Sequence, residues 1–297
     1  MKNFLVRLTS GLTVAILIIA AILASRISYA VVILITAVGG VYEFYTITAA
    51  ARHVDEAQNK KSRRTAIILT VVGVLLSLLI NFRSNFADVG VFLSAILFFY
   101  FVRALYIKSD TAFQNIGWEI LPFIYIVLPV MLLNYLYYDK GALFALSILF
   151  LIWFFDSMCY ITGSLFGKRK LFERISPQKT VEGWIGGMIL SLIFVFFYDK
   201  ILGFLSAKYH FTPISYTNIQ WLIIGFVTLV FATFGDLVES LLKRNLGIKD
   251  SGNFLPGHGG LLDRLDAILV AIPFVVLTVF FIDRISDLKL IIDFINS

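Results

Sequence analysis

GALFALSILFLIWFFDSMCYITG, residues Gly141–Gly163, is an apolar run with a single carboxylate, Asp156, late in it. A membrane-spanning helix needs about 20 mostly apolar residues, because a rise of ~1.5 Å per residue must cover ~30 Å of hydrocarbon. This run meets that length. In lipid every backbone polar group must find its partner within the segment, so the run reads as a helix. No period-two alternation runs through it, which argues against a barrel strand.

The same reading extends outward along the chain. It gives about nine runs: Phe4–Leu23, Ser28–Ala50, Thr65–Asn81, Val89–Ile107, Trp118–Tyr137, Gly141–Gly163, Trp184–Leu202, Ile219–Leu242 and Leu265–Ile282. The third is short and the fifth contains Pro122 and Pro129. The first is read as a retained helix rather than a signal peptide, since a second span follows at once. The fold class expected is therefore all-α, a polytopic transmembrane bundle. Composition agrees: 59% of residues are hydrophobic and 15% charged, far from the balance of a soluble domain.

Loop charge predicts orientation. Arg52, Lys60, Lys61, Arg63 and Arg64 crowd the second loop; Lys168, Arg169, Lys170, Arg174 and Lys179 crowd the sixth; Lys243, Arg244 and Lys249 lie in the eighth. The positive-inside rule puts these even loops, and the N-terminus, on the cytoplasmic side. It also accounts for the net charge of +6 without nucleic acid. The one cysteine, Cys159, excludes an intrachain disulfide and reads as a small core residue.

Carboxylates within or beside spans are costly and mark polar sites. Asp236 and Glu239 fall three apart late in the eighth span, a spacing that shares a helix face with Ser240 and Lys243. Asp263 and Asp266 repeat the spacing where the ninth span begins, and Asp156 ends the sixth. All lie at one leaflet beside the two basic loops, 164–183 and 243–264. Carboxylates among Lys and Arg suit a metal-bridged phosphate, since Mg²⁺ takes one or two carboxylates plus phosphate oxygens. In His258–Asp266, adjacent Gly259 and Gly260 precede a helix. They would let the backbone approach a phosphate; the alternative is a plain turn with Asp263 capping the helix. Gly183, Gly186 and Gly187 read equally as close helix packing. Glu43 and Arg103, inside spans of the first half, carry no assignment.

The segment SLLKRNLGIKDSGNFLPGHGGLLDRLD, Ser240–Asp266, resembles the signature of the phosphatidate cytidylyltransferase family. Its Ser, Lys-Arg, Lys-Asp, apolar-Pro, His-Gly-Gly and Asp-Arg-x-Asp elements stand in order. A second stretch agrees: Asp156, Tyr160, Gly163, Phe166-Gly167-Lys168 and SPQKTVEG, Ser176–Gly183. There Gln178 departs from the family's usual lysine, which leaves Lys179 as the stronger candidate. The resemblance divides the chain into N-terminal helices, 1–140, and a catalytic region, 141–297, with the signature at 240–266.

The resemblance implies transfer of CMP from CTP to phosphatidate, giving CDP-diacylglycerol and pyrophosphate in phospholipid biosynthesis. It implies Mg²⁺ on Asp236 and Asp263, with Asp156 and Glu239 as support, and leaves room for K⁺. On that reaction, Lys243, Arg244, Lys249 and Arg264 would hold the triphosphate or the leaving pyrophosphate. Ser176, Lys179 and Thr180, with Gly259 and Gly260, would line the substrate pocket. Asp250 and Asp266, like Asp156 and Glu239, would support the metals or orient the basic side chains, and His258 would donate to a phosphate or order its loop. The expected setting is a bacterial inner membrane, with the site on the cytoplasmic side and a homodimer as the assembly. The alternatives are a CTP-dependent enzyme acting on an isoprenoid glycerolipid or polyprenol, and a secondary transporter.

Overall fold

The computed structural model describes residues 13, 15–52, 56–79, 86–107, 112–214, 216–252 and 259–295. Its helices are α1 (Ala15–Ala24), α2 (Arg26–Ile47), α3 (Glu56–Leu79), α4 (Phe86–Leu105), α5 (Ala112–Pro122), α6 (Leu128–Lys140), α7 (Ala142–Phe166), α8 (Val181–Phe196), α9 (Tyr198–Tyr209), α10 (Asn218–Asn245) and α11 (Leu262–Ile295). Among the described residues, five helical stretches are long and apolar enough to cross a membrane: Arg26–Ile47, Asn115–Lys140, Ala142–Phe166, Asn218–Asn245 and Leu262–Ser286. This is the make-up of a helical multi-pass membrane protein. Two other expected runs appear as shorter apolar helices, Ala15–Ala24 and Gly90–Leu105. The third, α3, carries Lys60, Lys61, Arg63 and Arg64 in its first turns. The start of the first run, at 4–12, lies outside the described residues.

Two expected spans depart from a straight helix. Trp184–Leu202 is broken: α8 and α9 meet at 47°. The Phe197 N–H reaches back to Phe194 and Val195, so the ladder tightens and the axis turns there. The fifth run stays continuous but passes through a π-turn, Phe123–Val127, between Pro122 and Pro129. Proline has no N–H and its ring crowds the carbonyl four residues back. Widening one turn, with the Leu128 N–H on the Phe123 carbonyl, keeps the helix running past both prolines.

One element lies outside the all-α expectation. Within the basic loop 164–183, Lys170–Phe172 (β1) and Ser176–Thr180 (β2) pair antiparallel. The register, Lys170 with Thr180 and Phe172 with Ser176, leaves extra residues on β2, so that strand is bulged. Pro177, which cannot donate to a ladder, sits in the bulge, as edge strands allow.

The chain forms two compact units, residues 1–139 with 239–269 and residues 140–238 with 270–297. The signature segment thus clusters with the N-terminal helices. In that first unit, Ser25 and Ser28 form a reciprocal cap that starts α2, and Tyr29 stacks on Tyr137 with centroids 3.7 Å apart. A buried polar cluster ties α3, α4 and α5. Arg103 pairs with Glu119, Ser62 donates to Glu119 at 2.8 Å, and Arg103 donates to Ser62 at 3.0 Å. Arg103 thus serves as the counter-ion of a buried carboxylate, as charge inside a bundle requires.

In the second unit, α7 and α8 pack through small residues. A Cβ on Gly183 would lie 2.8 Å from the Gly163 Cα and 2.9 Å from the Cys159 carbonyl; one on Gly187 would strike Cys159. Thr162 donates across the seam to the Gly183 carbonyl at 2.9 Å. Without a hydrophobic drive between helices in lipid, such close approach is what holds them. Phe231 on α10 stacks on Phe274 on α11, centroids 3.5 Å apart.

Candidate active site

The sequence-derived residues gather into two clusters, one in each unit. The first is built on the signature. Glu239 and Lys243 lie one turn apart on α10, and the Lys243 ammonium pairs with Glu239. It also pairs with Asp263 Oδ1 at 2.7 Å. Glu239 is 1% exposed, so this cation is what makes its burial tolerable. Asp263 opens α11, and its other oxygen, Oδ2, accepts the backbone N–H groups of Ser251 at 2.9 Å and Gly260 at 2.8 Å. Ser251 returns a contact, its Oγ accepting the Asp263 N–H at 3.3 Å.

Gly259 must be glycine on two counts. Its φ is +81°, and a Cβ there would lie 2.6 Å from Asp263 Oδ2. The anion drawn close by the glycine pair is therefore the protein's own carboxylate. Both backbone donors to Asp263 precede α11, so its carboxylate ties the loop to the helix start and is not the cap of that helix.

The residue that sequence reasoning missed is Glu43 on α2. It is 7% exposed. Its Oε1 accepts the Leu261 N–H at 2.8 Å, and its Oε2 accepts the Leu262 N–H at 2.9 Å and the Ser251 hydroxyl at 3.2 Å. An acid inside an apolar span was the available signal. Its backbone partners carry no signature that a sequence displays.

Of the remaining signature residues, Arg244, Lys249, Asp250 and Arg264 are exposed. Asp266 accepts the Ala267 N–H at 2.8 Å. His258 lies outside the described residues.

The second cluster centres on the bulged strand. Lys179 pairs with Asp236 on α10, and the Trp184 indole donates to Thr233 on the same helix at 2.9 Å. Thr180 is the N-cap of α8, accepting the Gly183 N–H at 3.2 Å. Glu182 fixes the entry to the hairpin: it accepts the Lys168 and Arg169 N–H groups at 2.9 and 3.0 Å and the Arg169 Nε at 2.9 Å. Ser176 lies half-buried at the start of β2, and Asp156 is exposed on α7. Removing the cap in Thr180→Ala is expected to cost about 1 kcal/mol of stability. The check is a chemical-unfolding or thermal-shift comparison run beside a substrate titration. A changed apparent substrate affinity at unchanged stability would show that Thr180 binds substrate instead.

The donor chemistry bears on a metal. Among the described residues there is no group of three or more His, Cys, Asp or Glu able to hold an ion. Mg²⁺, however, is commonly held by one or two carboxylates and completed by substrate phosphates. Glu239 and Asp263 already converge on one cation, the Lys243 ammonium. The oxygen donors therefore fit an ion shared with substrate, rather than an ion caged by protein alone.

The chain is 39% identical over 172 residues to the phosphatidate cytidylyltransferase of Bacillus subtilis, covering 57% of this chain and 60% of that protein. It is 39% identical over 168 residues to the Haemophilus influenzae enzyme of that name, covering 55% of each. With the Thermotoga maritima enzyme the identity is 42% over 138 residues, 46% of this chain and 49% of that one. The chain thus spans about half to three fifths of the length of these curated relatives. The model of the cytidylyltransferase family matches residues 5–282, nearly the whole chain, and the protein belongs to that family.

Proposed function

We propose that the protein is a phosphatidate cytidylyltransferase, making CDP-diacylglycerol and pyrophosphate from CTP and phosphatidate. The observation that carries the reading is Lys243 held between Glu239 and Asp263 in the signature segment. Two carboxylates and a lysine at one point suit a divalent ion shared with a polyphosphate, and the phosphatidate cytidylyltransferases that the chain resembles point to the acceptor. An oxygen of the phosphatidate phosphate attacks the α-phosphorus of CTP. The new P–O bond forms as the α–β anhydride bond breaks, and pyrophosphate leaves with the electron pair. The lipid brings its own nucleophile, so the protein's task is alignment and charge stabilisation.

In this reading Lys243, Arg244, Lys249 and Arg264 hold the triphosphate and the departing pyrophosphate. Ser176, Lys179 and Thr180 contact the nucleotide end. Asp236 and Asp263 would hold Mg²⁺, with Asp156 and Glu239 behind them. The ion, when bound, supplies positive charge against the phosphate oxygens. Nine spans with a cytoplasmic N-terminus would put the basic loops where CTP is present. The membrane would be a bacterial inner membrane and the assembly a homodimer.

The test is purified protein in detergent with labelled CTP, phosphatidate and Mg²⁺. A CDP-lipid and pyrophosphate in equal amounts support the reading. Release of CDP with a phosphorylated lipid would make the protein a kinase. Absence of product across phosphatidate, isoprenoid glycerolipid and polyprenol acceptors would overturn it.

A further inference from the structure

We propose that Glu43, in the N-terminal half of the chain, is a positioning residue for the signature segment. It would hold in register the backbone that aims Asp263 and Lys243. The inference rests on the cytidylyl-transfer reading for its reaction, but on geometry for the residue.

Glu43 is buried in an apolar helix, where an unpartnered carboxylate would be prohibitively costly. Three donors offset that cost, and all come from the signature segment: the Leu261 and Leu262 N–H groups and the Ser251 hydroxyl. The two N–H groups stand at the first turn of α11, where a helix favours negative charge. Ser251 is the shared element. Its Oγ faces Glu43, and its N–H donates to Asp263 at 2.9 Å. Glu43 therefore reaches Asp263 through one intervening residue and through the end of Asp263's own helix.

The loop is shaped for this carboxylate. A Cβ on Gly252 would lie 2.6 Å from Glu43 Oε1, and one on Gly260 2.7 Å from Oε2. Neither position has room for a side chain while Glu43 is in place. Glu43 also forms part of the wall of a cleft of about 450 Å³, with Val38, Gly39, Tyr42 and Thr46 of α2 on one side and Ser251 and Gly252 on the other. The helix that carries Glu43 thus faces both the loop and a space beside it.

Carboxylate is the only side chain that serves, because every group pointing at it is a donor. In Glu43→Gln the amide keeps the shape but turns one acceptor into a donor, so its N–H would face the Leu261 or the Leu262 N–H. Glu43→Asp keeps the charge on a shorter stem. Gly252→Ala displaces Glu43 from the opposite side without altering any charge.

The experiment compares wild type, Glu43→Gln, Glu43→Asp, Gly252→Ala, Ser251→Ala and the Glu43→Gln/Ser251→Ala double variant. Each is read by hydrogen exchange, by kcat and KM for CTP, and by the folded fraction on gel filtration. Glu43→Gln is expected to stay folded, with exchange rising at 251–252 and 259–263 and unchanged in α7 and α8. Its kcat is expected to fall about 100-fold, the cost of a misplaced reacting group, with KM for CTP changing much less. Glu43→Asp should recover part of kcat. Gly252→Ala should repeat the loss, and the double variant should be no worse than Glu43→Gln. The inference is overturned if Glu43→Gln keeps wild-type kcat per folded molecule, whatever its exchange. It is overturned too if activity merely tracks the folded fraction, or if the two single losses multiply. An inactive wild type would instead sink the cytidylyl-transfer reading; exchange at 251–263 would still report whether Glu43 clamps the loop.

Discussion

Asp263→Asn is expected to lower cytidylyl transfer by about 10²–10³-fold, the loss seen when one preorganised charge-stabilising group is removed, while the protein stays folded. The geometry explains why so small a change matters. Asp263 takes the Lys243 ammonium on one oxygen and the Ser251 and Gly260 N–H groups on the other, with the Glu239 carboxylate beside it on the same ammonium. Asparagine can satisfy one side. Its NH₂ must then face either the ammonium or the two N–H groups, and both are donors. Lys243 loses one of its two carboxylates, so its ammonium shifts toward Glu239. The carboxylate that would share a metal ion with substrate is gone as well. Folding should survive, because the α11 start keeps its bonds to Glu43. The measurement is a single-turnover assay of purified wild type and variant at saturating CTP, with gel filtration as the folding control. A variant within threefold of wild type would remove Asp263 from the chemistry and leave it as a loop fastener.

The two kinds of information in the sequence differ in reach. Helical periodicity is local, so Glu239 and Lys243 could be placed on one face from spacing alone, and they pair as that spacing predicts. Asp263 was legible as the head of an apolar helix. Lys179 and Asp236 are 57 residues apart; no periodicity connects them, and the sequence placed them only at one leaflet, not in contact. Glu43 is further removed, its partners lying 208 to 219 residues along the chain. Because two of those partners are backbone N–H groups, no residue type could have announced the contact. The break at Phe197 was hidden for another reason. The run continues apolar through Tyr198 with neither Pro nor Gly at the break, so the usual marks of a kink are missing. The fifth run is the opposite case: its prolines are residues that ordinarily break a helix, and a π-turn carries the helix through.

Lys243→Met is expected to make stability depend on divalent cation. The ammonium stands between two carboxylates, and Glu239 is almost wholly buried. Deleting one partner of a buried ionic group leaves uncompensated charge, at a cost of roughly 3–5 kcal/mol. Two carboxylates facing the vacated place are also a better site for a small hard cation than the wild-type arrangement, where an ammonium already stands. A ligand that binds only the folded state stabilises it by about 2.7 kcal/mol at a hundred times its dissociation constant, so Mg²⁺ should return much of the loss. The apparent melting temperature of Lys243→Met in detergent should therefore fall well below wild type in chelator. It should climb with added Mg²⁺, whereas wild type responds little. Adding Glu239→Gln removes one of the opposed charges, so the double variant should melt higher in chelator than Lys243→Met and lose most of the Mg²⁺ response. Restored stability should not restore turnover, because in the proposed mechanism Lys243 also holds the triphosphate, and a metal taking its place cannot reach both. A Lys243→Met protein that melts like wild type in chelator would mean that Glu239 and Asp263 do not depend on this cation. One that is destabilised but indifferent to Mg²⁺ would mean that the pair is not shaped for a metal, and would move the expected ion to Asp236.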